Sequence, residues 1–340
     1  MPAWHFNHYR RQYLHRHNNH SRQRTNGFRR YYGNIRHGSH SVKRRKHIKI
    51  QSQRCVALSN PISGSGGIEI LGSGTTALIG ACTYTGATTV TAGKLVMSNQ
   101  SNVPTSGVVI ATGATLEVNR DATADHRFTA NDVSISGAGT LEKTGGGTMF
   151  VNDSNTGYVT MSTGGMIHIK EGTLGLNKGY LSDWQSNKGD LTVDTGATLD
   201  LRDVGTAKNG IFVNGLSGAG TITATTAGTG ARLTVGVSNG GDTFSGVITN
   251  DASRPLHIVK IGTGTQIFSG ANTYTGTTTI SGGILQILGS ITSPVAVATG
   301  GILASGATGT VSGSVSVQTG GGIQGGGDTP GVLTTGALTF

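Results

Sequence analysis

The sequence predicts an all-β chain, wound as a parallel β-helix and preceded by a disordered basic segment. Three observations lead there. A long glycine-punctuated segment occurs twice, shorter units alternate apolar and polar residues around single glycines, and helical periodicity is absent.

The basic segment comes first. Of 26 Lys/Arg in the chain, 14 lie in residues 1–54, with eight of the 11 His and no acid, which leaves 12 Lys/Arg against all 16 Asp/Glu beyond it. The formal charge of +10 therefore belongs to the head, and the body is mildly acidic. Lys43-Arg-Arg-Lys46 with Tyr9, Tyr13, Phe28, Tyr31 and Tyr32 has the composition of a phosphate-contacting, base-stacking arm. His15, His17 and His20 have a loose metal-ligand spacing. The abrupt change of composition argues instead for a segment that is disordered or non-native, as an out-of-frame fusion would be. A nucleic-acid partner is not expected, and the expected domains are 1–54 and 55–340.

The body holds 54 of the 57 glycines, yet its apolar positions are regular and its charges nearly balanced, so it is expected to fold. No stretch approaches 18 consecutive apolar residues. Cys55 and Cys82 show no metal or redox spacing and read as unpaired thiols.

The duplicated segment aligns without a gap at an offset of 190: Gly80 with Gly270, Tyr84 with Tyr274, Gly86 with Gly276, Gly93 with Gly283, Leu95 with Leu285. Cys82 stands where the other copy has Asn272. Between the copies run shorter units such as Val108-Val-Ile-Ala-Thr-Gly113-Ala-Thr-Leu-Glu-Val118 and Leu191-Thr-Val-Asp-Thr-Gly196-Ala-Thr-Leu-Asp-Leu201. Apolar residues at every second position on both sides of a glycine describe two half-buried strands joined by a turn. Neighbouring glycine turns lie 20 to 26 residues apart, too close for four-stranded propeller blades. At roughly 4.8 Å per coil, about 12–14 coils would make a rod on the order of 60 Å long.

Lys260-Ile-Gly-Thr-Gly-Thr-Gln-Ile-Phe-Ser-Gly-Ala-Asn-Thr-Tyr-Thr-Gly-Thr-Thr-Thr-Ile-Ser-Gly-Gly-Ile-Leu285 resembles the passenger-associated strand repeat of Gram-negative autotransporters (type V secretion). Gly262, Gly264, Gly270, Asn272, Tyr274, Gly276, Gly283 and Leu285 fall on its signature positions, as do Gly80, Tyr84, Gly86 and Gly93 in the first copy. A degenerate copy begins at Lys143, and Gly325-Gly-Gly-Asp-Thr-Pro-Gly-Val-Leu333 is similar to a downstream segment of the family. The resemblance implies a right-handed parallel β-helix displayed at the cell surface or released outside the cell. Its role would be structural or adhesive, toward a host-cell or matrix surface or sister passengers. It also implies a signal peptide and a β-barrel. The head has no apolar run for the first, and the coils continue to Phe340, so a fragment or truncated product is expected, with the membrane involved only through a missing barrel.

Catalytic chemistry is not expected. Asp194, Asp200, Arg202 and Asp203 are the nearest thing to a lyase-like cluster, but carboxylates at coil corners are expected to be solvated. Asp328 lacks the tandem repeat that calcium-binding nonapeptides require. His126, His168 and His257 lie singly among polar neighbours, and His168 reads as an outward strand residue. Thr277 to Thr279 form a run too irregular in its setting for a flat threonine lattice. No cofactor and no metal are expected. A carbohydrate-active β-helix enzyme and a non-functional remnant are the alternative readings.

Overall fold

The structure, a computed structural model, describes residues 47–80, 82–98, 106–121, 126–127, 133–151, 159–176, 184–201, 210–225, 230–326 and 331–340. The expected basic arm, the His15, His17 and His20 set, Arg202, Asp203 and Asp328 lie outside the described residues. Among those described, every regular element is a strand, and the strands pair in parallel with the equivalent strand of the next coil. No helix is long and apolar enough to cross a membrane among the described residues.

Each coil turns through three faces. In one early coil, Gly67–Ile70 lies on the second face, Thr75–Leu78 on the long face and Cys82–Tyr84 on the third, before Thr88–Val90 returns to the second. The long face is one sheet of 13 strands, from Val56–Leu58 to Gly322–Gln324. The second face is built from sheets of six and seven strands, and the third from sheets of two, six and four.

The period-2 pattern builds the core directly. On the long face, Leu95, Leu116, Leu141, Ile167, Leu191 and Leu216 are successive partners across five pairings, and each is at most 1% exposed. Burying such a side chain contributes about 1.5–3 kcal/mol, so the six together contribute on the order of 10 kcal/mol. A one-residue slip in any strand would turn its column to solvent, which is what locks the register.

Coil length is not constant. The register advances 19 residues from Thr75 to Lys94, 25 from Thr115 to Thr140, 26 from Thr140 to Met166, and 18 from Gly283 to Gly301. Narrow coils thus lie at both ends and wide ones between. The solenoid also begins earlier than the expected boundary at Cys55. His47–Ile50 already pairs with Gly67–Ile70, with Ile50 4% exposed in the core. Lys49, counted with the basic head, is an outward strand residue paired with Glu69 at 3.1 Å.

Candidate functional site

The two copies of the long repeat occupy equivalent places in different coils, separated by eight steps along the long sheet. In each, the tyrosine points into the core from the third face. Tyr274 is fully buried and its hydroxyl lies 2.6 Å from Thr278 Oγ1; Tyr84, 3% exposed, stands at the same 2.6 Å from Thr88 Oγ1. In the second copy the chain of hydroxyls extends to Ser293 Oγ, 2.6 Å from Thr278. Burial raises the pKa of both phenols, so they remain neutral hydrogen-bonding groups. The motif needs an aromatic ring to fill the corner and a threonine four residues on to satisfy its polar end.

The motif glycines serve two needs. Gly283 and Gly93 have φ of 61° and 65°, the left-handed turn that feeds Leu285 and Leu95 into the core. Gly276 and Gly86 instead let coils approach: a Cβ there would lie 2.4 Å from Leu256 O and 2.4 Å from Gly66 C. Gly80, Gly264 and Gly270 are likewise pressed against carbonyl oxygens of the preceding coil, those of Ser59, Asn239 and Gly246.

Asn272 belongs to a set that sequence reasoning missed. Its Oδ1 accepts from Ile248 N–H at 2.9 Å, and its Nδ2 donates to Gly270 O at 3.0 Å and Ser290 O at 3.2 Å. It therefore joins the six-stranded sheet of the third face, which ends at Val247–Ile248, to the four-stranded sheet beginning at Ala271–Asn272. Asn187 does the same on the second face, accepting from Met161 N–H at 3.0 Å and donating to Phe212 O at 2.7 Å across the gap between the two sheets. Gln266 acts on the long face, where pairing thins to the single partnership of Gly218 and Phe244. It accepts from Leu216 N–H at 3.1 Å and donates to the carbonyls of Leu216 and Asp242, both at 2.8 Å. All three amides are fully buried. An amide side chain offers the same donor and acceptor as the backbone, so each replaces ladder bonds where the ladder fails. In the first copy, Cys82 holds the Asn272 position and its Sγ lies 3.5 Å from Gly80 O; burial raises its thiol pKa against a backbone hydrogen bond with Ile62. Cys55 and Cys82 are both free.

The outer surface of the long face carries a charged ladder. Val96, Glu117, Glu142, His168, Thr192 and Ser217 occupy one outward register position on successive strands. Lys94 Nζ contacts Glu117 at 3.0 Å and Glu142 at 2.6 Å, and Lys170 Nζ lies 3.8 Å from Glu142. Burial opposes the Lys94 charge, but the bonds to Glu142 and Glu117 outweigh it and raise its pKa. At Glu117 the same contest, with Lys94 and Thr144 as donors, ends below the ordinary carboxylate range.

Other candidates fall as follows. His168 faces outward as expected, but it is not single: its Nε2 lies 2.9 Å from Asp194 Oδ1, and no hydroxyl bonds its second ring nitrogen among the described residues. His257 Nδ1 accepts from Thr277 N–H at 3.0 Å, and burial and Arg232 lower its pKa. Asp200 corrects the expectation of a solvated corner. It is 2% exposed and accepts from the Thr225 hydroxyl at 2.8 Å and the Thr225 N–H at 3.3 Å, so it is a ladder residue. Among the described residues no three His, Cys, Asp or Glu side chains converge as metal ligands. The side chain of His126 lies outside the described residues.

A parallel solenoid whose repeat is a buried Tyr–Thr corner with glycine-mediated coil contact defines a passenger-type structural stalk. The passenger-associated-transport-repeat family matches residues 71–97 and 258–287, the two copies described above, so the chain carries repeats of an autotransporter passenger region. It is 34% identical over 154 residues, 45% of its length, to the adhesin BmaC autotransporter of Brucella suis biovar 1 (strain 1330). The match spans 4% of that relative. No solved structure matches the chain.

Proposed function

We propose that this chain is part of an adhesive, non-enzymatic stalk presented outside a Gram-negative cell. The observation that carries the reading is the recurrence of one repeat, with the same 2.6 Å Tyr–Thr contact, in two coils of a continuous parallel solenoid. Such a unit is built to stack, and its outward positions are free to vary without disturbing the core. The likeness to a protein named as an adhesin supports adhesion as the role of the surface so presented. The partners proposed are a host-cell or matrix surface or a sister passenger. The test is to display the full chain on a non-adherent Gram-negative strain by fusion to an autotransporter barrel. Gain of attachment to epithelial cells or matrix-coated wells, or of cell-to-cell clumping, is the expected outcome. Display without any gain of adhesion would remove the adhesive role and leave a spacer.

A further inference from the structure

Two corners of the solenoid are closed by buried ammonium groups. Lys143 Nζ donates to the carbonyls of Thr144 at 3.0 Å, Gly145 at 2.6 Å and Glu171 at 3.0 Å. Lys260 Nζ donates to those of Ile261 at 2.7 Å, Gly262 at 3.2 Å and Gly282 at 3.1 Å. The pattern is the same: the two residues after the lysine, and the residue before the left-handed glycine of the next coil. Both lysines are at most 1% exposed.

The first repeat copy has the same corner without the lysine. Ile70, 1% exposed, stands where Lys260 does, and the corresponding carbonyls are those of Leu71, Gly72 and Ala92. The backbone of the three corners agrees closely. Gly93, Gly172 and Gly283 have φ of 65°, 66° and 61°. A Cβ on them would lie 2.3, 2.5 and 2.5 Å from the carbonyl oxygens of Gly72, Gly145 and Gly262 respectively. The coil-to-coil bonds match as well: Thr91 N to Ile70 O is 2.8 Å, Lys170 N to Lys143 O is 2.9 Å and Ser281 N to Lys260 O is 2.8 Å. Isoleucine at this position supplies no side-chain donor. Among the described residues no hydrogen-bond donor reaches the carbonyls of Leu71, Gly72 or Ala92. The neighbouring Lys94 is engaged by Glu117 and Glu142, so its charge is balanced there.

We propose that the Leu71, Gly72 and Ala92 carbonyls form a binding site for a monovalent cation of potassium size, which takes the place the lysine ammonium holds at the other two corners. Contacts of 2.6–3.2 Å to the ammonium show the size of ion that the corner geometry fits. Neutral carbonyls replacing a hydration shell suit a potassium-sized ion. A divalent ion would call for carboxylates, and none belongs to the trio. The cation stabilises the coil by binding the folded chain alone.

The test uses the full chain. Thermal melts in potassium, sodium and choline chloride at equal ionic strength are expected to show a Tm that rises with potassium and saturates. Sodium should have a smaller effect, and choline none. Ile70→Lys places an ammonium in the trio and should abolish the potassium dependence. Absence of a potassium-specific rise in the parent chain overturns the proposal, as does an unchanged dependence in Ile70→Lys. If that variant does not fold, crystals soaked in thallium(I) decide. An anomalous peak at this corner, absent at the Lys143 and Lys260 corners, supports the site. Peaks only elsewhere overturn it.

Discussion

The side chain of Gln266 forms hydrogen bonds with both backbone groups of Leu216, a residue 50 positions earlier and two coils away. It bridges the point where the wide coils leave the long sheet with little pairing. Gln266→Leu keeps the volume and removes both bonds, leaving a buried N–H and a buried C=O unpartnered. The expected loss is about 2–6 kcal/mol, at roughly 1–3 kcal/mol for each of the two orphaned groups. Urea unfolding of the variant against the parent measures it. A change below about 0.5 kcal/mol would show that the amide is not needed.

The two Tyr–Thr corners should respond unequally. Thr88 has Tyr84 as its side-chain partner, whereas Thr278 has both Tyr274 and Ser293. Tyr84→Phe should therefore cost about 1–2 kcal/mol and Tyr274→Phe less, because Thr278 keeps one hydroxyl contact. Double-mutant cycles with Thr88→Val and Thr278→Val isolate the pair energies. Equal coupling in both copies would refute the argument.

Asn187 holds the two sheets of the second face together, so its loss should act locally first. In Asn187→Ala the Met161 N–H loses its acceptor and the Phe212 carbonyl its donor. Hydrogen exchange at Met161 should accelerate markedly while Leu116 and Ile167, deep in the long sheet, remain protected. Uniform acceleration through the rod would mean that the coils unfold as one unit.

The buried lysines predict a pH response with a definite sign. Burial lowers both Lys143 and Lys260 to about 8, under the ordinary 10.5. Between those values the unfolded chain binds more protons than the folded one, so stability rises with pH over that window. Lys94 runs the other way: its raised pKa gives stability that is complete below the ordinary value and lost as pH climbs through the folded one. Cys82, Tyr84 and Tyr274, raised by burial from ordinary values of 9.0 and 10.0, oppose the lysines in the same sense as Lys94 from about pH 9 upward. Chemical denaturation should therefore show a net rise in stability from about pH 7.5 to 9. Lys143→Met with Lys260→Met should flatten or reverse it.

The fold was legible because its signals are local. Alternation around Gly113 and Gly196, and the matched corners at Tyr84 and Tyr274, fall within stretches short enough to read directly. The bridges were not legible, since Gln266 interrupts the alternation of its strand, Asn187 sits in a polar turn segment, and their partners lie one or two coils away. Asp200 was misread for the same reason, its partner Thr225 being 25 residues on. The start of the solenoid was hidden by composition: Ile48 and Ile50 alternate correctly, but Lys49 and His47 match the basic head. The charged ladder had a usable signal, because Glu117 and Glu142 repeat at one coil length, and stacking the sequence coil by coil would have aligned them.

The constant spacing of the two repeats bears on how such rods change length. Both copies enter and leave the same three faces in the same order, eight strands apart on the long sheet. A genetic crossover between their coding stretches therefore removes or adds eight whole turns and leaves every face in phase. The product would differ by roughly 40 Å in reach, at about 4.8 Å per strand, with the same surfaces at either end. A coding sequence of this kind holds a stepwise ruler, in which unequal exchange changes the reach of the rod without a new fold having to be found.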